Sequence, residues 1–465
     1  MERKRINQKE NKMITNFDII QNNKNLNLDS DTVSRLLNYD LFQDLYDGNF
    51  KTAFAKTYQK ICAKYPLDTT VSQTFVELNL FYAMTDFYKN LLTNQGLYIN
   101  VNGHLQDIWN KIEKENNFIS VLKEVFVDVS RFGNGIFKTV FGKNGVEITS
   151  VPPSCWFPVF NKGNINDLAG HIIINTLTDF VNGRTKTFKL IEKHRKGSVE
   201  YELWTYQNET YNEKLNVEEE LEMPQYDDFS DVWNDFLIFP VKNSSESNSY
   251  FGQSDYIRFK SVVEELILTV SQNSKILNRH ANPKMTGSNE NLEFNPVTGK
   301  TEFPNRDFIP VGRDGIKAEY ITADLQENAV HQHINTLLQF FYILSKTPPQ
   351  AYGLDITGNM SGESLRKIFM NALTKTDDIK QVSFNLALEN LVKCAMALNL
   401  TPTDEVKIDW GNPVPEDKSE IIDNTVKRIS SGTLSKLSAI SEIDNVSEVD
   451  ANAEMEKIRR EAVFV

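Results

Sequence analysis

Phe251-Gly252-Gln253-Ser254-Asp255 opens, and Asn282-Pro283 closes, the stretch that decides the fold. Between these turns Phe259, Val263, Leu266, Val270 and Leu277 recur at intervals of 4, 3, 4 and 7, the narrow stripe of a capped helix that packs on a few similar helices. Arg258, Lys260, Glu264, Glu265, Lys275 and Arg279 take the remaining sides, which are expected to be wet. At 1.5 Å per residue this rod is on the order of 40 Å long. A second rod follows. Asp324-Leu325-Gln326-Glu327 resembles a capping box, and Val330, Ile334, Leu337, Phe341 and Leu344 repeat at 4, 3, 4 and 3 until Pro348-Pro349 stops them. Residues 284–322 between the rods offer short strand candidates around Met285, 292–294, 300–303, 308–311 and 316–321, separated by Pro296, Gly299, Pro304 and Gly312. An antiparallel pair of rods buries one seam each and leaves its flanks for neighbours. Closed cyclic symmetry is the simplest way to complete such a contact.

Outward toward the N-terminus, 103–249 reads as mixed α+β. Helices 104–115 and 118–131 end at the turn Gly133-Asn134-Gly135, and strand candidates follow at 136–141, 145–150, 168–177, 185–193 and 198–206. The acidic run 217–231 reads as a solvated loop. Residues 29–47, 49–64 and 69–93 carry helical stripes, and 1–28 is expected to be a flexible arm. Toward the C-terminus, the Gly- and Pro-punctuated segment 347–361 precedes a long helical pattern, 362–400. A strand at 406–410 and three short helices end the chain, and 401–465 holds 14 acidic against 8 basic residues. The fold class expected is α+β and predominantly helical.

The 465 residues suffice for roughly three domains and a large core. A net charge of -13 argues against a protein that coats nucleic acid, because that work needs a basic face. No window reaches the roughly 18 apolar residues of a membrane span, so no membrane role is expected. Cys62, Cys155 and Cys394 match no metal or redox spacing. Gly299-Lys300-Thr301 imitates the end of a phosphate loop, but Phe294 stands where its first glycine belongs and strands flank it. His331 and His333, two apart on a helix, point about 200° apart and cannot share a metal. No nucleophile elbow or Cys-His protease setting is present. No enzyme, metal or cofactor is expected.

The order of parts resembles the portal, or head-to-tail connector, proteins of tailed double-stranded DNA bacteriophages, particularly those of long non-contractile-tailed phages of Gram-positive hosts. The resemblance rests on Phe251-Gly252-Gln253-Ser254-Asp255, Arg279-His280-Ala281-Asn282-Pro283 and Ser345-Lys346-Thr347-Pro348-Pro349-Gln350. It continues through Gly358-Asn359-Met360-Ser361-Gly362-Glu363-Ser364-Leu365, Ile408-Asp409-Trp410-Gly411-Asn412-Pro413-Val414-Pro415-Glu416-Asp417 and Ser431-Gly432-Thr433-Leu434-Ser435. These pieces cover about 251–461.

The resemblance implies a ring of twelve subunits at one capsid vertex, serving double-stranded DNA packaging and ejection. It implies a wing over 29–251, stem helices 252–280 and 324–346, a clip over 281–323 and a tunnel loop over 347–361. A kinked helix over 362–400 and a crown over 401–465 complete the subunit. The implied partners are DNA in the channel, the terminase large subunit, a head-completion or adaptor protein, and the major capsid and scaffold proteins. The implied location is the virion, with assembly in the host cytoplasm. Channel contacts are expected from Lys346, Thr347, Pro348, Pro349, Gly353, Gly358, Asn359, Ser361, Arg366 and Lys367, and along the stem from Arg258, Lys275 and Arg279. The alternative is a non-portal coiled-coil scaffold or minor capsid protein, which shares the rods without a closed ring.

Overall fold

The computed structural model describes residues 14–20, 25–26, 28–63, 75–94, 96–142, 145–161, 164, 167–181, 184–243, 249–280, 285–286, 293–302, 319–320, 327–355, 362–411, 418–444, 446 and 448–462. The chain opens with helices α1 (Ser30–Asp47), α2 (Phe50–Ala53), α3 (Ala55–Ala63) and α4 (Leu80–Thr93). Asp29 caps α1 by accepting from the Asp31 and Thr32 amides, and Gly48, at φ 81°, ends it in the left-handed conformation. α4 starts later than its stripe suggests. The Asn79 side chain accepts from the Tyr82 amide at 2.9 Å and donates to the Tyr46 carbonyl at 2.8 Å, so capping sets the boundary. Phe75 and Leu78 reach the core from non-helical chain, and 69–74 lie outside the described residues.

β1 (Leu97–Val101), α5 (Gln106–Glu115) and α6 (Phe118–Phe132) lead into the strand-rich part. It comprises β2 (Asn134–Gly142), β3 (Gly145–Ser150), β4 (Trp156–Phe160), β5 (Leu168–Val181), β6 (Arg184–Arg195), β7 (Ser198–Gln207), β8 (Thr210–Leu215), α7 (Val217–Leu221), β9 (Tyr226–Asp228) and β10 (Ile238–Lys242). These strands form two antiparallel sheets, β10-β2-β3 and β4-β5-β6-β7-β8 with β9 beside β7. The acidic run is therefore a short helix and an edge strand rather than loop, since Asn216 caps α7 and Tyr226, Asp227 and Asp228 pair with β7. Ile136 and Ile238 from the small sheet meet Trp156, Phe160 and Ile173 of the large one. On the opposite face, Ile14, Phe17 and Ile19 cover Phe157, Val159, Ile172 and Ile191, and the Phe160 amide donates to the Ile14 carbonyl at 2.9 Å. Residues 14–20 thus pack on the sheet instead of belonging to a flexible arm; 1–13 lie outside the described residues.

The rods are α8 (Tyr256–His280) and α9 (Glu327–Ser345). Between them lie β11 (Met285–Thr286), β12 (Glu293–Asn295), β13 (Lys300–Glu302) and β14 (Glu319–Tyr320); the strand expected at 308–311 falls outside the described residues. Gly299, at φ 68°, ends the turn of the β12-β13 hairpin and Lys300 and Thr301 begin β13, so Gly299-Lys300-Thr301 is no phosphate cradle. Phe259, early in α8, stacks edge-on against Phe341, late in α9, at 5.2 Å, while the later Glu265 lies 4.0 Å from the earlier His333. The rods are therefore antiparallel. Their seam is buried at Phe259, Val263, Leu266 and Phe341 and opens further out, where Leu277 is 48% exposed.

One flank of α8 is covered rather than wet. Thr57 donates to Glu264 at 2.5 Å, the Val76 amide to Ser271 at 3.0 Å, and Lys275 Nζ to the Ile61 carbonyl at 2.8 Å. The charged residues that made this flank read as solvent-facing are satisfied by α3 and the chain before α4.

After a 3₁₀ turn at Pro349–Tyr352 come α10 (Gly362–Ile379), one π-helical turn at Lys380–Phe384, and α11 (Asn385–Leu398), the most buried helix. The long helical pattern read over 362–400 is thus α10, this π-helical turn and α11. The Ser383 hydroxyl accepts from the Lys242 amide at 2.7 Å, drawing the helix toward β10. β15 (Val406–Trp410) pairs with β1, and α12 (Lys418–Ser430), α13 (Lys436–Asp444) and α14 (Glu448–Ala462) end the chain.

Between the two sheets, the Glu192 carboxylate accepts from Lys138 at 2.6 Å, Asn175 at 2.8 Å and His194 at 3.0 Å. Burial alone would raise this carboxyl, but the His194 hydrogen bond and the Lys138 charge carry it down to about 2 from 4.5. A depressed carboxylate stabilises the fold above its unfolded value and loses that contribution as pH falls through the folded one. Glu192→Gln should therefore lower the denaturant midpoint at neutral pH by an amount equivalent to about 3 kcal/mol at most. The gap to wild type should narrow between pH 4.5 and 2; a gap constant across that window contradicts the assignment.

Candidate functional site at the base of the helix pair

The base of the two rods is fixed by a contact that only glycine permits. Gly133, at φ 83°, ends α6, and a methyl group there would lie 2.5 Å from the Gly252 carbonyl oxygen. Gly252 meets the Gly133 carbonyl just as closely. The crossing is stitched by side chains. The Gly252 amide donates to Asn134 Oδ1 at 3.0 Å, the Asn243 amide to the Gly133 carbonyl at 3.0 Å, and Asn243 Nδ2 to the Gln253 carbonyl at 3.0 Å.

This brings Asp255, one residue before α8, into a buried ring of donors. Its Oδ2 accepts from Ser130 at 2.8 Å; its Oδ1 accepts from Asn243 at 2.9 Å and lies 2.7 Å from Lys375 Nζ on α10. The expected cap at this turn is divided between two residues. Ser254 accepts from the Tyr256 amide at 3.1 Å, which releases the Asp255 carboxylate for the ion pair.

Lys375 also lies 3.9 Å from the centre of the Tyr88 ring. Burial lowers its pKa against the pull of Asp255, and the charges of Arg258 and Lys346 push the same way as burial. The Tyr88 hydroxyl, raised by burial, donates to the Ser345 carbonyl at 2.8 Å at the end of α9. Ser345 and Thr347 hydroxyls are 2.5 Å apart, and the Tyr352 hydroxyl donates to Thr347 at 3.1 Å. A continuous polar path thus joins the start of α8 to the end of α9 and to the segment after it. Lys346 bridges the two in a left-handed conformation, φ 58°.

Beside this path opens a cleft of about 670 Å³. Arg258, Lys346 and Lys375 line it together with Asp235, Asp255 and Asp378, and Phe236, Val382 and Leu386 add apolar surface. Arg258 and Lys346 are exposed and Asp255 is committed to Lys375, while Asp235 and Asp378 stand exposed in the same lining, so the cleft carries charges of both signs. Among the described residues no cluster of His, Cys, Asp and Glu could hold a metal, and burial raises the thiols of Cys155 and Cys394, so neither is a poised nucleophile.

Of the residues singled out in the sequence, Arg258 and Lys346 converge at this cleft. Thr347 is buried as a structural hydroxyl, Pro348 and Pro349 open the 3₁₀ turn, and Gly353, at φ 75°, closes it. Gly358, Asn359 and Ser361 lie outside the described residues, as does the Arg279 side chain. Arg366 and Lys367 sit exposed near the start of α10, away from the cleft lining, and Lys275 is bound to α3. Lys375 and Asp255, which organise the site, were not among the expected contacts. Lys375 stands in Thr374-Lys375-Thr376-Asp377-Asp378, which reads as a polar helix surface, and no local signal marks its burial.

The described subunit thus combines two antiparallel sheets, two antiparallel rods and a long helix broken by one π-helical turn. The family model described as phage portal protein, SPP1 Gp6-like, matches residues 28–463, and the chain belongs to that family. Similar solved structures include the neck of an empty GTA particle computed with C6 symmetry, at 12% identity and TM-score 0.47, covering 78% of this chain and 89% of that one. The neck of the native GTA particle with C12 symmetry gives 11% and 0.43, covering 81% and 92%. The virion of the native gene transfer agent particle gives 12% and 0.45, covering 84% and 98%. No curated protein matches the chain.

Removing one partner of a buried ion pair leaves an uncompensated charge and costs roughly 3–5 kcal/mol. Lys375→Met should lower the unfolding free energy by that amount, read from denaturant titration, and Asp255→Asn combined with Lys375→Met should recover part of it in a double-mutant cycle. Strictly additive losses would show that the two groups do not act as a pair.

Proposed function

We propose that this chain is the portal subunit of a tailed phage particle. Twelve copies close into a ring at one capsid vertex, and double-stranded DNA passes through the ring during packaging and ejection. Residues 29–251 form the wing, 252–280 and 324–346 the stem, 281–323 the clip, 347–361 the tunnel loop, 362–400 the helix behind it and 401–465 the crown. The clip faces the terminase large subunit during packaging and the head-completion protein afterwards, while the wing and crown face the capsid and scaffold proteins.

Membership of the portal family supports this reading, and the observation that carries it is the apolar surface the helix pair leaves open. Leu277, toward the outer end, and Phe340 and Ile343, near the base, are 48%, 50% and 70% exposed on rods that have already buried one seam against each other. Apolar flanks of this kind ask for neighbours on both sides, which a ring of identical copies supplies.

Charge supports the conduit. DNA in transit must not be gripped, and a subunit of net charge -13 repeated around an axis repels phosphate, while Arg258 and Lys346 offer only sparse cationic contacts. No helix among the described residues is long and apolar enough to cross a membrane.

The tunnel loop is the element assigned to touch DNA. Deleting residues 353–358 should leave rings intact by size-exclusion chromatography while particles built with the variant retain less DNA, read as the fraction of full heads. Intact rings with normally filled heads would reject the loop's role.

A further inference from the structure

The face between the two sheets carries a polar chain with one interruption. His171 on β5 and His194 on β6 are direct partners in the antiparallel register, so their side chains leave the same face about 5 Å apart at Cβ. Both are fully buried. Their neighbours dictate where the ring protons sit. The Trp156 indole can only donate, and it lies 3.1 Å from His171 Nδ1, so that nitrogen is bare and the proton is on Nε2. The Glu192 carboxylate can only accept, and it lies 3.0 Å from His194 Nε2, so that nitrogen carries the proton and Nδ1 is bare. Burial lowers both imidazoles, His171 to about 3, which keeps each ring neutral.

One donor and one acceptor remain. His171 Nε2 and His194 Nδ1 are buried and have no partner among the described residues, each other included. Leaving a buried polar group unmatched costs about 1–3 kcal/mol. We propose that a single water molecule binds between the two rings, accepting from His171 Nε2–H and donating to His194 Nδ1. The two nitrogens are buried and complementary in hydrogen-bond direction, one donor and one acceptor, which is the pairing a buried water matches.

A metal ion does not fit. Binding at His171 Nε2 would displace the only ring proton while Nδ1 is occupied by the indole donor, leaving His194 Nδ1 as the one free lone pair. With the water in place, a hydrogen-bonded chain runs from Lys138 on β2 through Glu192, His194 and His171 to Trp156 on β4. It ties the small sheet to three strands of the large one.

A density map of the purified full-length protein at water-resolving resolution tests this directly. The expected result is one peak at hydrogen-bonding distance from both nitrogens, lost from the map of His194→Phe, which lacks the acceptor. A cavity with no peak, or the two nitrogens in direct contact, overturns the proposal. As a second measurement, protein equilibrated with zinc and then dialysed should carry no more metal than His171→Phe treated in the same way. A stoichiometric excess in the wild type would make the site a metal site and also overturn the proposal.

Discussion

The Asp255 carboxylate is the constraint on which the rest of the molecule depends. It stands where α8 begins and receives hydrogen bonds or charge from α6 through Ser130, from the end of β10 through Asn243 and from α10 through Lys375. A buried carboxylate with three such partners is costly to move, because displacing any one of them exposes an unmatched group to a low-dielectric interior. The direction in which the helix pair leaves the core is therefore set at one residue. The Gly133–Gly252 crossing makes this possible by letting two backbones approach closer than any side chain allows.

The same junction connects the rods to the segment that follows them. Lys375 lies between Asp255 and Tyr88, Tyr88 holds the last carbonyl of α9, and Ser345 and Thr347 pass the connection to Tyr352. A displacement of residues 346–355 would thus be felt at the start of α8 through a contiguous set of hydrogen bonds, one ion pair and one cation–π contact. The π-helical turn at Lys380–Phe384 adds a further tie. Ser383 holds the edge of β10, and Asn385, just beyond it, accepts from the Trp410 indole at 2.7 Å, so the long helix is pinned to both the sheets and the C-terminal strand.

Much of this was legible in the sequence. The rods announced themselves by their stripes, and Gly133 and Gly252-Gln253-Ser254-Asp255 mark breaks in the chain where they were read, because backbone geometry and apolar spacing are local properties; Asn134 and Gly135, read as part of the same turn, instead begin β2. What stayed hidden was non-local. Glu264 and Lys275 look solvent-facing until α3, some two hundred residues earlier, lies across them. Lys375 looks like surface until its carboxylate arrives from Asp255. β4, with five buried residues in succession, lacks the alternation that betrays a half-exposed strand, and β10 was passed over in the same region.

In the ring we propose, copies of this chain stand side by side around a hollow, because the helix pair finishes only one of its apolar faces by itself. Class-averaged electron micrographs of the purified protein viewed along the particle axis test that most directly. Annular particles of twelve subunits with an open centre are the predicted result. Particles that stay monomeric at every concentration, or open chains without closure, would contradict it.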